Sequence, residues 1–232
     1  MTQDGKRGSA PGSDARASEL EELIRHLQTT SESERSTLAK ELHDELGGLI
    51  TAAKMDMQWL SAHLGGSLDA AGDEKFRSVM QMLNQAMILK RRVVEALRPS
   101  LLDHFGLPVA LRSHFEEQCA RAGLECVATL PEETLDLLPS TQLALFRIAE
   151  ESLTGVLARG NAKHVELVVE ATDTGYSMLI GDDGQSTEDM SRSLVAMRYR
   201  VQNIGGTLEA EASPLRGNRI RVYVPRSPAK SE

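Results

Sequence analysis

The chain has 232 residues, enough for one or two domains, and its apolar fraction of 41% is ordinary for a globular protein. A net charge of −8 argues against nucleic acid and anionic membranes as partners. No apolar run reaches the roughly 18–20 residues of a membrane span, and the N-terminus lacks the apolar segment of a signal peptide, so we expect a cytoplasmic protein. Cys119 and Cys126 are the only cysteines. They fit neither a disulfide framework nor a zinc site and are expected to be reduced thiols.

Periodic apolar residues in the N-terminal part predict two long helices. From about Ser33 to Leu64, apolar residues recur at steps of three and four, the spacing of an amphipathic helix. Ser31 and Glu34 have the form of a capping box at its start, and Gly65-Gly66 is expected to end it. A second apolar stripe predicts another helix from about Asp73 to Leu97.

Two long helices joined by a short linker form an antiparallel hairpin. One hairpin cannot cover both apolar stripes, because each helix has only the other to pack against. A second copy of the chain supplies the missing surface. The pattern therefore predicts a homodimer whose two hairpins make a four-helix bundle.

His43 lies at the edge of the first stripe, followed by Asp44, and Gly47-Gly48 thins the helix surface one turn later. Such an imidazole is accessible to a partner protein, although an ordinary surface histidine is the default interpretation of the bare helix. The stretch 34–47, with Glu41-Leu42-His43-Asp44 at its centre, closely resembles the phosphoacceptor box of bacterial two-component sensor histidine kinases. In that family the histidine is phosphorylated and passes the phosphoryl group to an aspartate of a response regulator. The resemblance implies that His43 is the phosphoacceptor, that Asp44 orients its ring, and that the partner is a receiver domain.

The C-terminal part alternates helices and strands, which predicts an α/β sandwich. It resembles the ATP-binding domain of the histidine kinase, gyrase, Hsp90 and MutL superfamily. The whole chain is thus predicted to be α+β, a dimerising helical hairpin followed by that sandwich. The predicted divisions are a disordered tail (1–16), a helical dimerisation and phosphoacceptor domain (17–98), a linker (99–106), an ATP-binding-like domain (107–226) and a second tail (227–232). The predicted helices of the sandwich are Leu107–Arg121, Gln142–Arg159 and Met190–Asn203, and its strands are Leu124–Leu130, His164–Ala171, Tyr176–Gly181, Thr207–Ala212 and Arg219–Val224.

The resembled domain holds ATP with a magnesium-binding Asn on its first helix, an adenine-contacting Asp in a D-x-G-x-G motif, and a glycine-rich lid. Glu151, Asp182 and Gly184 are retained and are the cofactor-binding candidates if a nucleotide binds. Gly155 stands where the magnesium-binding Asn is expected and has no side-chain oxygen, so we predict no metal site. The second glycine of the D-x-G-x-G motif is replaced by Ser186.

The lid glycines are also missing, and Glu188 and Asp189 before them would repel a triphosphate. At the lid positions stand Ser191, Ser193 and Ala196. We therefore expect no cofactor, and ATP with Mg²⁺ only if the chain is an active kinase. Relatives that dephosphorylate their regulators carry a Gln four residues after the Asp of the box, where this chain has Gly48, so phosphatase activity is not expected.

The predicted function is two-component signal transduction by a histidine phosphotransfer protein derived from a histidine kinase. His43 would relay phosphoryl groups to or from response-regulator aspartates. The alternatives are an active cytosolic sensor histidine kinase that autophosphorylates His43 with ATP, and a catalytically inert pseudokinase that acts as a dimerising scaffold.

Overall fold

A computed structural model describes residues 11–64, 69–185, 189–213 and 217–226. Contacts divide the chain into two compact units: one is Gln28–Ser100, and the other runs from Leu101 onward and includes the chain before Gln28. The helices are α1 (Pro11–Glu41), α2 (Gly47–Leu64), α3 (Ala70–Leu97), α4 (Ser100–Ala122), α5 (Pro139–Arg159) and α6 (Asp189–Asn203), with a π-helical turn (Leu42–Leu46) joining α1 to α2. The strands are β1 (Glu125–Thr129), β2 (His164–Ala171), β3 (Gly175–Asp182), β4 (Thr207–Ser213) and β5 (Gly217–Pro225).

The hairpin unit is formed by α2 and the π-helical turn packing on α3. Asp69 caps α3, because its carboxylate accepts a hydrogen bond of 2.8 Å from the backbone N–H of Gly72. The predicted stripe of α3 is half-buried along its length: Phe76, Val79, Met80, Leu83, Met87, Val94 and Leu97. On the facing helices Ala39 and Ile50 are buried, whereas Leu49 and Trp59 are 70% and 59% exposed. A single hairpin thus leaves much of its apolar surface uncovered.

The start of the first helix differs from the prediction. Helix α1 begins at Pro11, so residues 11–16 are helical and Ser31 and Glu34 lie inside the helix instead of capping it. The physical reason is that no glycine or proline occurs between Gly12 and Gly47, so no residue in this stretch breaks the helix. Residues 1–10 of the predicted tail, and the predicted stop at Gly65-Gly66, lie outside the described residues.

The predicted linker 99–106 is also mostly helical. Helix α4 begins at Ser100, whose backbone N–H donates to the Glu95 carboxylate at 3.0 Å. The only break is at Gly106, which adopts φ +79°, a conformation that favours glycine. Beyond it the N–H of Leu107 donates to the side-chain oxygen of Gln142 at 3.0 Å, so a residue of α5 caps the second part of α4.

The second unit contains a mixed five-stranded sheet in the order β1-β2-β3-β5-β4. Strand β1 is parallel to β2, and the other pairs are antiparallel. Alternate residues of the strands are buried; Leu167 of β2 and Ile180 of β3, which pair in the sheet, are examples. These residues belong to one hydrophobic core with Phe115 of α4 and Ile148 of α5. The predicted α+β class is therefore confirmed. In the part of the chain that the structure describes, no helix combines the length and apolarity needed to cross a membrane.

Candidate functional site

His43 lies in the π-helical turn between α1 and α2, and its side chain is exposed. Such turns are rare insertions in α-helices and occur frequently at functional sites. Asp44 is exposed as well, but no hydrogen bond or ion pair joins these two described side chains. Consecutive residues of a helix point in different directions, which explains why the orienting contact predicted for Asp44 is not formed within this chain.

The π-helical turn is held by contacts from α2 and α3. The N–H of Gly47 donates to the carbonyl of Asp44, whereas in a regular α-helix it would donate to that of His43. The ammonium of Lys90, on α3, donates to the His43 carbonyl at 3.2 Å. The Thr51 hydroxyl donates to the Gly47 carbonyl at 2.8 Å. The contact of Lys90 with His43 was not predicted from the sequence, because no local pattern links residues 47 positions apart.

The sheet unit contains a cleft of about 510 Å³ formed by α5, α6, β3 and β5. The predicted residues Glu151 and Asp182 both line it, and so does Gly155, whereas Gly184 is not among the lining residues. The polar lining also includes Ser152, Thr154, Arg159 and Asn218. The apolar lining includes Val156, Ile180, Leu194, Met197 and Ile220.

The carboxylate of Asp182 accepts three hydrogen bonds from neighbouring protein groups. Its side chain is only 6% exposed, and Oδ2 accepts a hydrogen bond of 2.8 Å from Nη2 of Arg159. Oδ1 accepts one from Nδ2 of Asn218 at 3.0 Å and one from the N–H of Gly184 at 2.9 Å. Three donors of this chain therefore already bind the Asp182 carboxylate, at which the resemblance places the adenine contact, and the N–H of Gly184 is one of them.

Asn218 reaches the cleft because Gly217 precedes it. Gly217 has φ +74°, and a Cβ at this position would overlap the backbone carbonyl of Asp182. The close approach of β5 to the end of β3 lets the Asn218 amide donate to both Asp182 and the carbonyl of Gly184, each at 3.0 Å. Asn218 is 2% exposed, so these hydrogen bonds satisfy a buried donor group.

Burial raises the pKa of the Glu151 carboxyl, and the charge of Arg200 partly opposes that effect. Next to it on α5, Gly155 leaves space in the cleft. The nearest atom to a Cβ placed there is Nη1 of Arg159, at 3.7 Å. The position that would supply a magnesium ligand thus has no side-chain oxygen, and a guanidinium lies beside it.

The segment that resembles the lid is helical. Helix α6 starts at Asp189, so positions 191, 193 and 196 are all in regular helix, and Leu194 and Met197 of this helix line the cleft. Replacing glycine by serine or alanine favours a helix at these positions. Ser186 and Glu188 lie outside the described residues, as do the side chains of 189–193.

These residues do not fit magnesium-bound ATP. Gly155 offers no ligand atom, a guanidinium repels a divalent cation, and the Asp182 carboxylate is already paired. Among the described residues, no group of three or more His, Cys, Asp and Glu side chains could hold a metal ion. The cleft has the shape of a ligand site but not the donor set that the resembled family uses.

The chain is similar in sequence to known histidine kinases. A family model described as "Histidine kinase" (HisKA_3) matches residues 34–102. The chain is 30% identical over 212 residues to the signal transduction histidine-protein kinase/phosphatase UhpB of Salmonella typhimurium, covering 88% of this chain and 41% of UhpB. It is 27% identical over 197 residues to the sensor histidine kinase YxjM of Bacillus subtilis (83% of this chain, 47% of YxjM). It is 28% identical over 210 residues to the nitrate/nitrite sensor protein NarX of Escherichia coli K12 (87% of this chain, 34% of NarX).

The chain therefore spans less than half the length of each of these three relatives. The matches extend over both units, from the helical hairpin to the mixed sheet. The family model covers the turn that presents His43. Taken together, they show that this chain belongs to the histidine kinase family of bacterial two-component signalling proteins.

Proposed function

We propose that this chain is a histidine phosphotransfer protein, which accepts a phosphoryl group on His43 from the aspartate of one receiver domain and passes it to another. The observation that carries this proposal is the occupied carboxylate of Asp182, because a domain whose adenine contact is taken by Arg159 and Asn218 is a poor source of phosphate from ATP. What remains is an exposed histidine on a helical hairpin.

The transfer at His43 needs no nucleotide. The unprotonated ring nitrogen of a neutral imidazole attacks phosphorus, and the N–P bond forms as the acyl-phosphate O–P bond breaks. The aspartate leaves as a carboxylate with the electron pair of that bond. The reverse reaction, with the carboxylate of the next receiver as nucleophile, discharges the histidine. An exposed side chain suits this role, because the two receivers must reach it in turn.

Asp44 has a second part in the proposal. It makes no contact with His43 in the single chain, so we propose that it acts when the receiver docks, by accepting the N–H of the opposite ring nitrogen. Gly48, one turn later, has no side chain to hold an attacking water, and the proposal therefore includes no phosphatase activity towards the regulator.

We also propose that the protein acts as a homodimer. Large apolar side chains remain exposed along the hairpin: Leu38, Leu46, Leu49, Met55, Trp59, Leu60, Met82, Ile88, Leu89 and Val93. Exposed apolar side chains of this number and size favour an interaction surface on the hairpin. A second hairpin with the same stripes would cover it and complete a four-helix bundle.

One observation favours the alternative of an active kinase. The cleft keeps about 510 Å³ and an apolar lining, which is ample for a heterocyclic base. For ATP to enter, Arg159 would have to release Asp182. Titration of the purified protein with ATP and Mg²⁺ tests this directly: we expect no saturable binding below millimolar nucleotide, and micromolar binding would establish the kinase alternative.

The His43→Ala variant distinguishes phosphotransfer from the alternative of an inert scaffold. The phosphotransfer proposal predicts that a phosphorylated receiver labels the wild-type protein and not this variant. Absence of label in the wild-type protein, with receiver binding unchanged by His43→Ala, would instead support an inert scaffold.

A further inference from the structure

We propose that Lys90 is a positioning residue for His43: it fixes the π-helical turn in the geometry in which the imidazole meets a receiver domain. The inference rests on the proposed phosphotransfer function. It does not make Lys90 a catalytic residue, since its contact is with the backbone of His43 and not with the ring.

The contact is specific in its geometry. Nζ of Lys90 donates to the carbonyl oxygen of His43 at 3.2 Å, across from α3 to the turn. To reach it, the end of the lysine side chain crosses the face of Gly47. A Cβ placed on Gly47 would lie 2.7 Å from Nζ, 3.7 Å from Cε and 3.9 Å from Cδ. A Cβ at this position would therefore push the ammonium away from its place beside the His43 carbonyl, whereas glycine leaves it there.

The turn needs support from outside its own helix because its hydrogen bonding departs from the α pattern. The Gly47 N–H donates to Asp44, and the His43 carbonyl receives the Lys90 ammonium. The Thr51 hydroxyl donates a hydrogen bond to the carbonyl of Gly47, one turn after His43. If the turn relaxed to regular α geometry, the residues before it would shift by one position relative to α2. The imidazole would then rotate by about 100° around the helix axis.

Two substitutions remove the same contact by different routes. Lys90→Met deletes the ammonium and keeps an apolar stem of similar length. Gly47→Ala leaves the lysine in the chain but places a methyl group 2.7 Å from the position of Nζ, so that the ammonium must move. Since alanine favours a helix over glycine, loss of helix stability cannot account for a defect in Gly47→Ala.

The chain offers a matched control for each variant. A Cβ on Gly48 would meet nothing within 4 Å, so Gly48→Ala adds the same methyl group one residue later without displacing the lysine. Lys75→Met removes an exposed ammonium from the same helix, α3, about four turns away.

The experiment supplies two phosphoryl donors to the full chain. One is a phosphorylated receiver domain, drawn from a panel that is first screened for phosphate exchange with wild-type His43. The other is phosphoramidate, a small donor that transfers its phosphoryl group to imidazole with release of ammonia and needs no docking. We expect Lys90→Met and Gly47→Ala to slow transfer from the receiver about ten- to a hundredfold. Labelling by phosphoramidate should be unchanged, and both controls should behave as wild type.

The double variant adds an independent test. Because both substitutions break one contact, Lys90→Met with Gly47→Ala should be no slower than the slower single variant. Unchanged receiver transfer in Lys90→Met, equal slowing with both donors, or multiplicative effects in the double variant would overturn the role of Lys90. A wild-type protein labelled by neither donor would overturn the proposed function itself, and the two failures are thus distinguishable.

Discussion

Replacing Arg159 with methionine should destabilise the sheet unit much more than a surface substitution does. The side chains of Arg159 and Asp182 are 10% and 6% exposed, and their 2.8 Å hydrogen bond is charge-assisted. Removal of one partner from a buried ion pair costs about 3–5 kcal/mol, because the other charge stays buried. The amide of Asn218 and the N–H of Gly184 still solvate the carboxylate, so we expect the lower end of this range, about 3 kcal/mol.

Hydrogen exchange at the most protected amides of β3 and β5 measures this change, since it reports the opening free energy of the sheet unit itself. Arg121→Met is the matched control. It breaks an ion pair with Glu117 whose side chains are 49% and 56% exposed, and such a pair contributes less than about 1 kcal/mol. Adding Asp182→Asn to Arg159→Met should recover most of the loss. An Arg159→Met cost no larger than that of Arg121→Met would refute the claim that Asp182 depends on its arginine.

Other consequences concern assembly, pH and thiol reactivity. Leu49→Asp should convert the dimer to a monomer in analytical ultracentrifugation, because Leu49 is 70% exposed in one chain. The hydrogen bond to Asp183 raises the pKa of the His164 imidazole. The pKa of the Asp183 carboxyl is lowered most by the hydrogen bond from the His164 backbone N–H and next by the one from the His164 ring. The histidine contribution to stability is lost as pH rises through its raised pKa, and the aspartate contribution is lost as pH falls below its unfolded value. Wild-type thermal stability relative to His164→Gln should therefore be greatest between about pH 4 and 6.5. Burial raises the pKa of the Cys119 thiol to about 12 and also raises that of Cys126, so both should react slowly with a disulfide reagent at pH 8 until the protein is unfolded.

Each of these expectations has its own contrary result. Leu138→Asp, at a leucine of the sheet unit that is 61% exposed, should leave the dimer intact. A dimer that survives Leu49→Asp would contradict the bundle interface. A melting difference between wild type and His164→Gln that is the same at pH 5.5 and 8.5 would contradict the pH assignment. Rapid labelling of either thiol in the native protein would contradict the burial argument.

Local patterns made much of the fold predictable. The valine-rich run from Val165 to Ala171 predicted β2 with the bounds that the structure shows. The stripe from Phe76 to Leu97 likewise predicted the buried side of α3. Such features depend on residues two to four positions apart, so they can be predicted from the local sequence.

The remaining features depend on contacts between distant residues or on the absence of a signal. The sequence predicted the helical domain from residue 17, whereas α1 begins at Pro11, and no local composition marks a π-helical turn. The partners that define the two sites are far apart in the chain: Lys90 with His43 over 47 positions, and Arg159 and Asn218 with Asp182 over 23 and 36. The loss of the Asn at position 155 was visible in the sequence, but the guanidinium that lies beside the gap was not.

Phosphoryl transfer in the complete absence of nucleotide tests the account most directly. A receiver domain carrying labelled acyl phosphate is mixed with the purified chain in nucleotide-free buffer, and peptides are analysed for phosphohistidine at position 43. The account predicts label on His43 that moves to a second receiver when one is added. Label that reaches His43 only when ATP and Mg²⁺ are supplied would contradict it.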